Sequence, residues 1–325
     1  STGAWRLVNC EIGPWPSAIL AKAAGFAGQG AGSRGYGNHI HGLECTGGQE
    51  THGFYIDSPE KTYPDQSLDI DIAWNWVEGS PGGNACQVFD NLGSSDGSGS
   101  WRGFKGVTVH DNWFEDYAKY GLNFAPGCVQ VRAWNNVFSG GALGWCRVDS
   151  ASPSMDIQVD FNTAYNCDTV VSGPGNGQMI STASTGGTGT IKLRGNITVA
   201  GPSTVVGSVP FAVTGGTPAT WLPDGNLYFG PSQTTPWSSS SFTMDSHAIF
   251  ADPMFANTAS HDFSLQDGSP AIDAAYSTAP SSIVTDILGT PRPQASASDL
   301  GALERFSTKP FVTAEPTFGG TEPSG

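Results

Sequence analysis

The chain is short of charge. Only 13% of its 325 residues are Asp, Glu, Lys or Arg, and 14 Lys and Arg stand against 29 Asp and Glu, a net charge of −15. A protein that grips a nucleic-acid backbone needs clustered cations to displace counterions, and no such cluster occurs, so nucleic acid is not an expected partner. Long apolar runs are missing too. None approaches the roughly 18 residues that read as a membrane-crossing helix, so no membrane span is expected. Cysteine is sparse: none of Cys10, Cys45, Cys86, Cys128, Cys146 and Cys167 forms a Cys-x-x-Cys pair, which speaks against a zinc site. The six are read either as small buried hydrophobes or as disulfide partners, with the connectivity left open.

What the chain does have is Gly 44, Pro 22 and 11% aromatics. Disordered chains lack aromatics, so this one folds. Its Gly, Asn, Ser and Thr point to many tight turns between short strands, hence an all-β protein. Ser1 opens onto a strand-like run, as expected of a chain whose secretion signal has been removed or was never included.

A short motif recurs, in which an alternating strand is followed by Asn, an apolar residue and a turn. It falls at Asn38, Asn75, Asn112, Asn136, Asn162, Asn196 and Asn226, with Cys10 in the same slot one step earlier. The spacings of 28, 37, 37, 24, 26, 34 and 30 residues are too uneven for a propeller or a leucine-rich repeat. A β-helix tolerates them, because its loops lengthen without disturbing the stacked strands. Three and five residues before each Asn stand apolar residues, such as Ile70 and Ile72 or Val107 and Val109, one side chain in and the next out. Further strands recur after the turn, at Phe54–Asp57, Cys86–Val88, Leu122–Phe124 and Cys146–Asp149. The expected fold is a right-handed parallel β-helix, a three-sheet solenoid with a C-terminal capping segment. Residues 1–250 form the coils, 251–305 the cap and 306–325 an extended Pro/Thr/Gly-rich tail.

The recurring Asn is read structurally: turned inward at each corner, it bonds backbone and the Asn of the next coil, forming a ladder. The one glycosylation sequon, Asn196-Ile197-Thr198, lies in this column and is expected to carry no glycan.

From Asp252 onward the chain reads Asp252-Pro253-Met254-Phe255, Asp262-Phe263-Ser264-Leu265 and Gly268-Ser269-Pro270-Ala271-Ile272-Asp273. It continues with Gly289-Thr290-Pro291-Arg292-Pro293 and Asp299-Leu300-Gly301-Ala302-Leu303-Glu304. These fifty or so residues resemble the closing cassette of bacterial secreted pectate-lyase-like β-helix proteins, with one departure at Ala275, where the family commonly has Gly. The resemblance implies the fold and an extracellular or cell-surface location. It implies no activity, since such proteins include lyases, hydrolases and adhesins. The cassette is expected to act as a lid over one end of the solenoid. The cap helix that such proteins carry at the other end is not visible ahead of Trp5, so further coils or another molecule are expected to cover that end.

Stacking the coils gives two outward columns on the strand before each Asn. One holds Ala73, His110, Trp134, Asp160 and Arg194; the other Asp71, Thr108, Arg132, Gln158 and Lys192. His110, Arg132, Asp160, Lys192 and Arg194 are therefore the candidate catalytic residues if the chain is an enzyme, and Trp134 a candidate carbohydrate contact. A lyase needs a base and a cation that neutralises a uronate carboxylate, a task an Arg or Lys beside Asp-bound Ca²⁺ could share. A hydrolase needs a carboxylate facing Asp160, and none is apparent. The preferred reading of the strip is an ordinary solvated sheet face, with catalysis or carbohydrate contact as the alternatives. His39, His41 and His52 lack a carboxylate at diagnostic spacing and are read as turn residues, so no metal site is expected. Asp65, Asp69 and Asp71 alternate on a strand and offer the one Ca²⁺ candidate. No other cofactor is implied.

Two functions remain. One is an extracellular structural protein that self-associates into a fibre or surface layer, with Trp5, Leu7, Phe311 and Phe318 as assembly residues. The other is a polysaccharide-active enzyme or a carbohydrate-binding adhesin. The partner is accordingly a second copy of the chain or a polysaccharide.

Overall fold

The computed structural model describes residues 4–14, 23–28, 30–43, 51–57, 67–80, 82–89, 104–124, 128–148, 155–167, 178–182, 188–200, 209–213, 220–230 and 245–306. Three parallel sheets run the length of a solenoid. Sheet 1 stacks Arg6–Val8, Arg34–Tyr36, Ser67–Ala73, Phe104–His110, Cys128–Trp134, Met155–Asp160, Gly189–Arg194 and Thr220–Asp224. Sheet 2 stacks Glu11–Ile12, His39–Ile40, Trp76–Ser80, Trp113–Tyr117, Val137–Ser139, Thr163–Tyr165, Ile197–Val199, Leu227–Phe229 and Ile249–Phe250. Sheet 3 runs from Ala23–Gly28 through Thr51–Asp57, Cys86–Phe89, Tyr120–Phe124, Gly144–Val148 and Gln178–Thr182 to Val209–Val213. The first seven chain turns each contribute one strand to each sheet, so the fold is the expected three-sheet parallel β-helix.

The alternation seen in the sequence is the alternation of burial. Ile70, Ile72, Val107, Val109, Val131, Ile157, Val159, Ile191 and Leu193 all point into one long core. Sheet 3 adds Phe54, Cys86, Leu122, Phe124, Cys146 and Val148 to it. Cys10, Cys86, Cys128, Cys146 and Cys167 are free thiols, and Cys45 lies outside the described residues. Burial pushes the Cys86 thiol up to about 12, so it packs as an inert hydrophobe.

Each corner from sheet 1 to sheet 2 uses the same two-residue device. The first residue takes a left-handed backbone: Asn9, Gly37, Trp74, Asp111, Asn135, Phe161, Gly195 and Gly225 have φ between 52° and 66°. The second is the ladder residue. Asn75 donates its backbone N–H (3.0 Å) and its Nδ2 (2.9 Å) to Oδ1 of Asn112, which does the same to Asn136 at 3.1 and 2.9 Å. The remaining Nδ2 capacity goes to backbone carbonyls of the same corner and the preceding coil, such as Ala73 and Gly35 for Asn75. The pattern holds from Asn38 through Asn162 and Asn196 to Asn226, all buried. Asn196 is therefore closed to a glycan in the folded state. Because every rung donates in one direction, the last needs an acceptor, and Asp245 supplies it. Its Oδ2 takes the Asn226 N–H (3.0 Å) and Nδ2 (2.8 Å), while Oδ1 takes the Gly225 N–H at 2.8 Å.

The C-terminal segment lies along the outer side of sheet 2. Leu265, Ala271 and Leu300 cover Ile197, Val199 and Leu227, and Phe263, Ala302 and Leu303 cover Val137 beside Trp113 and Tyr165. The backbone follows, with Gly301 N–H on Gly195 O (2.8 Å) and Ala302 N–H on Thr163 Oγ1 (2.8 Å). Its polar residues hold the segment together: buried Arg292 pairs with Glu304 at 3.0 Å and donates to the carbonyls of Asp299 and Gly301. The arrangement follows from the outward column of sheet 2, which turns apolar (Val137, Ile197, Leu227, Ile249) and demands a cover.

Replacing Asn112 with Ala strips the acceptor from two donors of Asn75 in a dry interior. We expect Asn112→Ala to lower unfolding free energy by about 1–3 kcal/mol in denaturant titration. An unchanged midpoint would show that the ladder contributes nothing.

Candidate functional site

Sheet 1 brings both outward columns together in the expected register. His110 pairs with Ala73 and Trp134, Trp134 with Asp160, and Asp160 with Arg194. Beside them run Asp71, Thr108, Arg132, Gln158 and Lys192. One wall is the C-terminal segment, tied on by Asn135 Nδ2 to Thr285 O (2.7 Å) and Arg194 Nη1 to Thr278 O (3.0 Å).

The side chains there are already committed to one another. His110 Nδ1 lies 2.6 Å from Asp111 Oδ2 and its Nε2 lies 3.1 Å from Asp71 Oδ1. Burial alone would lower its pKa, but the bonds to Asp111 and Asp71 outweigh it and raise the imidazole to about 9. An imidazolium with both nitrogens on carboxylates is not a free base. Asp71 also accepts from Tyr36 Oη (2.7 Å) and from Thr108. Burial would raise its pKa; His110 and the two hydroxyls hold it below the usual carboxylate range.

Further along the face, Arg132 pairs with Asp156 at 2.6 Å. Arg194 grips Asp160 through Nε and Nη2, both at 2.8 Å, and reaches Gln158 at 2.9 Å. Asp160 is buried, and that burial raises its pKa despite Arg194. Lys192 stands half-buried between Gln158 and Leu222 in register, its charge bearing on Asp156 and Asp160.

The aromatic residues are arranged unequally. Trp134 and His110 stack at 4.3 Å and 5°, so one indole face is covered. Trp74, one residue after Ala73, instead meets its neighbours edge-on. It meets Tyr36 at 5.3 Å and 65° and His110 at 5.4 Å and 79°, and it is 39% exposed. Sequence reasoning missed this residue. Its signal was a bulky side chain immediately before a ladder Asn, where the other coils, Phe161 excepted, have Gly, Asn or Asp.

The three histidines separate. His52 lies buried in sheet 3, accepting from Asn84 N–H at 3.1 Å. His39 and His41 point outward from sheet 2, and the carboxylate that the spacing did not reveal comes from the preceding coil as Glu11. The Ca²⁺ candidates also diverge. Asp69 has φ 48°, which breaks the alternation, and it pairs with Arg34, whereas Asp71 belongs to the His110 cluster; Asp65 lies outside the described residues. Of the assembly residues, Trp5 and Leu7 pack partly buried against the long core, with Trp5 on Phe26 at 4.0 Å. Phe311 and Phe318 lie outside the described residues.

No family model matches the chain, and no curated protein matches it. Among solved structures, the fold is similar to one described as "Crystal structure of pectate lyase Pel9A". The similarity covers 94% of this chain and 87% of that one, at 12% identity and a TM-score of 0.35.

The His110 clamp makes stability depend on pH. With its pKa raised from about 6.5 when unfolded to about 9 when folded, the clamp's contribution is complete below the first value and lost as pH rises through the second. Asp71, held low, adds stability above its unfolded value that is lost as the solution becomes more acidic. The stability difference between wild type and His110→Phe should therefore be largest near pH 4–6.5 and shrink toward pH 9. A difference that stays flat or grows toward pH 9 would contradict the clamp.

Proposed function

We propose that the chain binds a neutral polysaccharide along the outer face of sheet 1, with Trp74 as the ring on which a sugar stacks. The observation that carries this reading is the backbone of Trp74. A bulky residue at φ 56° is strained, and such strain, on the order of 1–3 kcal/mol, tends to survive where function needs it. Phe161 has the same strain at φ 52°, but it is buried with Arg292 4.8 Å over its ring, so packing accounts for it. Trp74 has no such cover. Its ring stands on a face whose Arg, Asp, Gln and His groups are pre-arranged by mutual hydrogen bonds, as a sugar-hydroxyl surface requires.

Charge favours a neutral ligand. Arg132 and Arg194 are neutralised by their own carboxylates, and a chain at −15 gives a polyanion no net attraction. The engaged state of His110, Arg132 and Arg194 also favours binding over a lyase reaction, which needs a free base and a free cation. A location outside the cell goes with this reading, since that is where such polymers are met.

Affinity electrophoresis of the whole chain through gels cast with neutral glucans, xylans or galactomannans, and with uronate polymers, tests the proposal. We expect retardation by at least one neutral polymer and at least tenfold weaker binding for Trp74→Asn. Asn tolerates the left-handed corner, so melting should stay within a few degrees of wild type. No retardation by any neutral polymer, wild-type retardation of the variant, or release of ultraviolet-absorbing unsaturated sugars would overturn the assignment.

A further inference from the structure

We infer that Glu11, His39 and His41 form a divalent transition-metal site, occupied by Zn²⁺ or a similar ion, that clamps the first coils together. His39 and His41 stand two residues apart beside one strand of sheet 2, which places both rings on its outer face. The rings lie almost parallel, 4.3 Å apart at 18°. Glu11, from the preceding coil, is the register partner of His39, and its Oε1 sits 3.1 Å from His41 Nε2. One ligand atom from each of the three lies within 4.8 Å of the other two. Donors of a tetrahedral ion bound at about 2.0–2.2 Å lie closer together than that, and the exposed Glu11 side chain has room to close the difference.

Three features make this more than a surface histidine pair. The donor set is two imidazoles and a carboxylate, the mixture that suits Zn²⁺ and leaves a fourth position for water. Trp76 stacks on His39 at 4.3 Å and 9° and forms an aromatic wall beside the site. Glu78, on the following coil, places Oε1 3.0 Å from His39 Nε2, within reach as a second carboxylate. The turn behind Glu11 is fixed as well. Gly13 packs so closely that a Cβ there would fall 1.9 Å from the His41 carbonyl oxygen, which locks one coil against the next.

The imidazole nitrogens and carboxylate oxygens now in hydrogen-bond contact would share the cation instead. The ion would connect the coils of Cys10 and Asn38, and through Glu78 that of Asn75.

The test uses the whole chain, stripped with a chelator and titrated with Zn²⁺ by calorimetry, with Co²⁺ as a spectroscopic probe. We expect one ion per chain, a raised melting temperature, and visible Co²⁺ bands of a four- or five-coordinate N/O site. His41→Ala and Glu11→Gln should each weaken binding at least tenfold, while His247→Ala and His261→Ala should leave it unchanged. Glu11→Gln keeps the decision open to experiment if His41→Ala folds poorly, because the Glu11 side chain is exposed. Absence of stoichiometric binding, or variants at both positions that bind like wild type, would overturn the assignment.

Discussion

The structure depends on one constraint. At every corner from sheet 1 to sheet 2 the chain must turn sharply while keeping its buried backbone groups bonded. A left-handed residue makes the turn, and the Asn after it satisfies what the turn exposes, donating to the next coil and to the carbonyls behind. An amide can do this because it carries donors and an acceptor on one short side chain. The ladder therefore has a direction, and Asp245, an acceptor with nothing to donate, ends it.

The outer faces follow from the same corner. Stacking in register turns each outward position into a column, so a single residue type acquires neighbours about 4.8 Å away on both sides. On sheet 1 that produced compensated pairs, His110 with two aspartates and Arg194 with Asp160, alongside one uncompensated strain at Trp74. On sheet 2 it produced an apolar column that the C-terminal segment covers, and beyond it a polar stretch with Glu11, His39, Trp76 and Glu78. The two faces meet at Asp111 and Asn135, corner residues bonded to each other at 3.0 Å, with Asn135 reaching Thr285. The clamp on His110 and the seating of the C-terminal segment are thus linked through the corners.

The fold was legible because its periodicity is written twice, in the alternation of Ile70 with Ile72 and in the spacing of the Asn residues. The columns His110, Trp134, Asp160, Arg194 and Thr108, Arg132, Gln158, Lys192 were legible for the same reason: counting back from Asn gives the register. What was not legible depended on partners brought from elsewhere. Asp245 breaks the Asn motif and stands 19 residues after Asn226. Glu11 meets His41 only once coils are stacked. Asp111 looked like an ordinary turn residue until it took one nitrogen of His110. The C-terminal segment was recognisable as a unit, but its route along the side of sheet 2 depends on apolar outward residues spread across four coils.

Amide hydrogen exchange at the ladder residues tests the central claim most directly. If the Asn column holds the coils together, the backbone amides of Asn75, Asn112, Asn136, Asn162 and Asn196 should exchange only through global unfolding. In Asp245→Ala, protection should then fall first at Asn226 and Asn196 and last at Asn75. Ladder amides that exchange as fast as unbonded surface amides, or an Asp245→Ala variant with unchanged protection throughout, would contradict it.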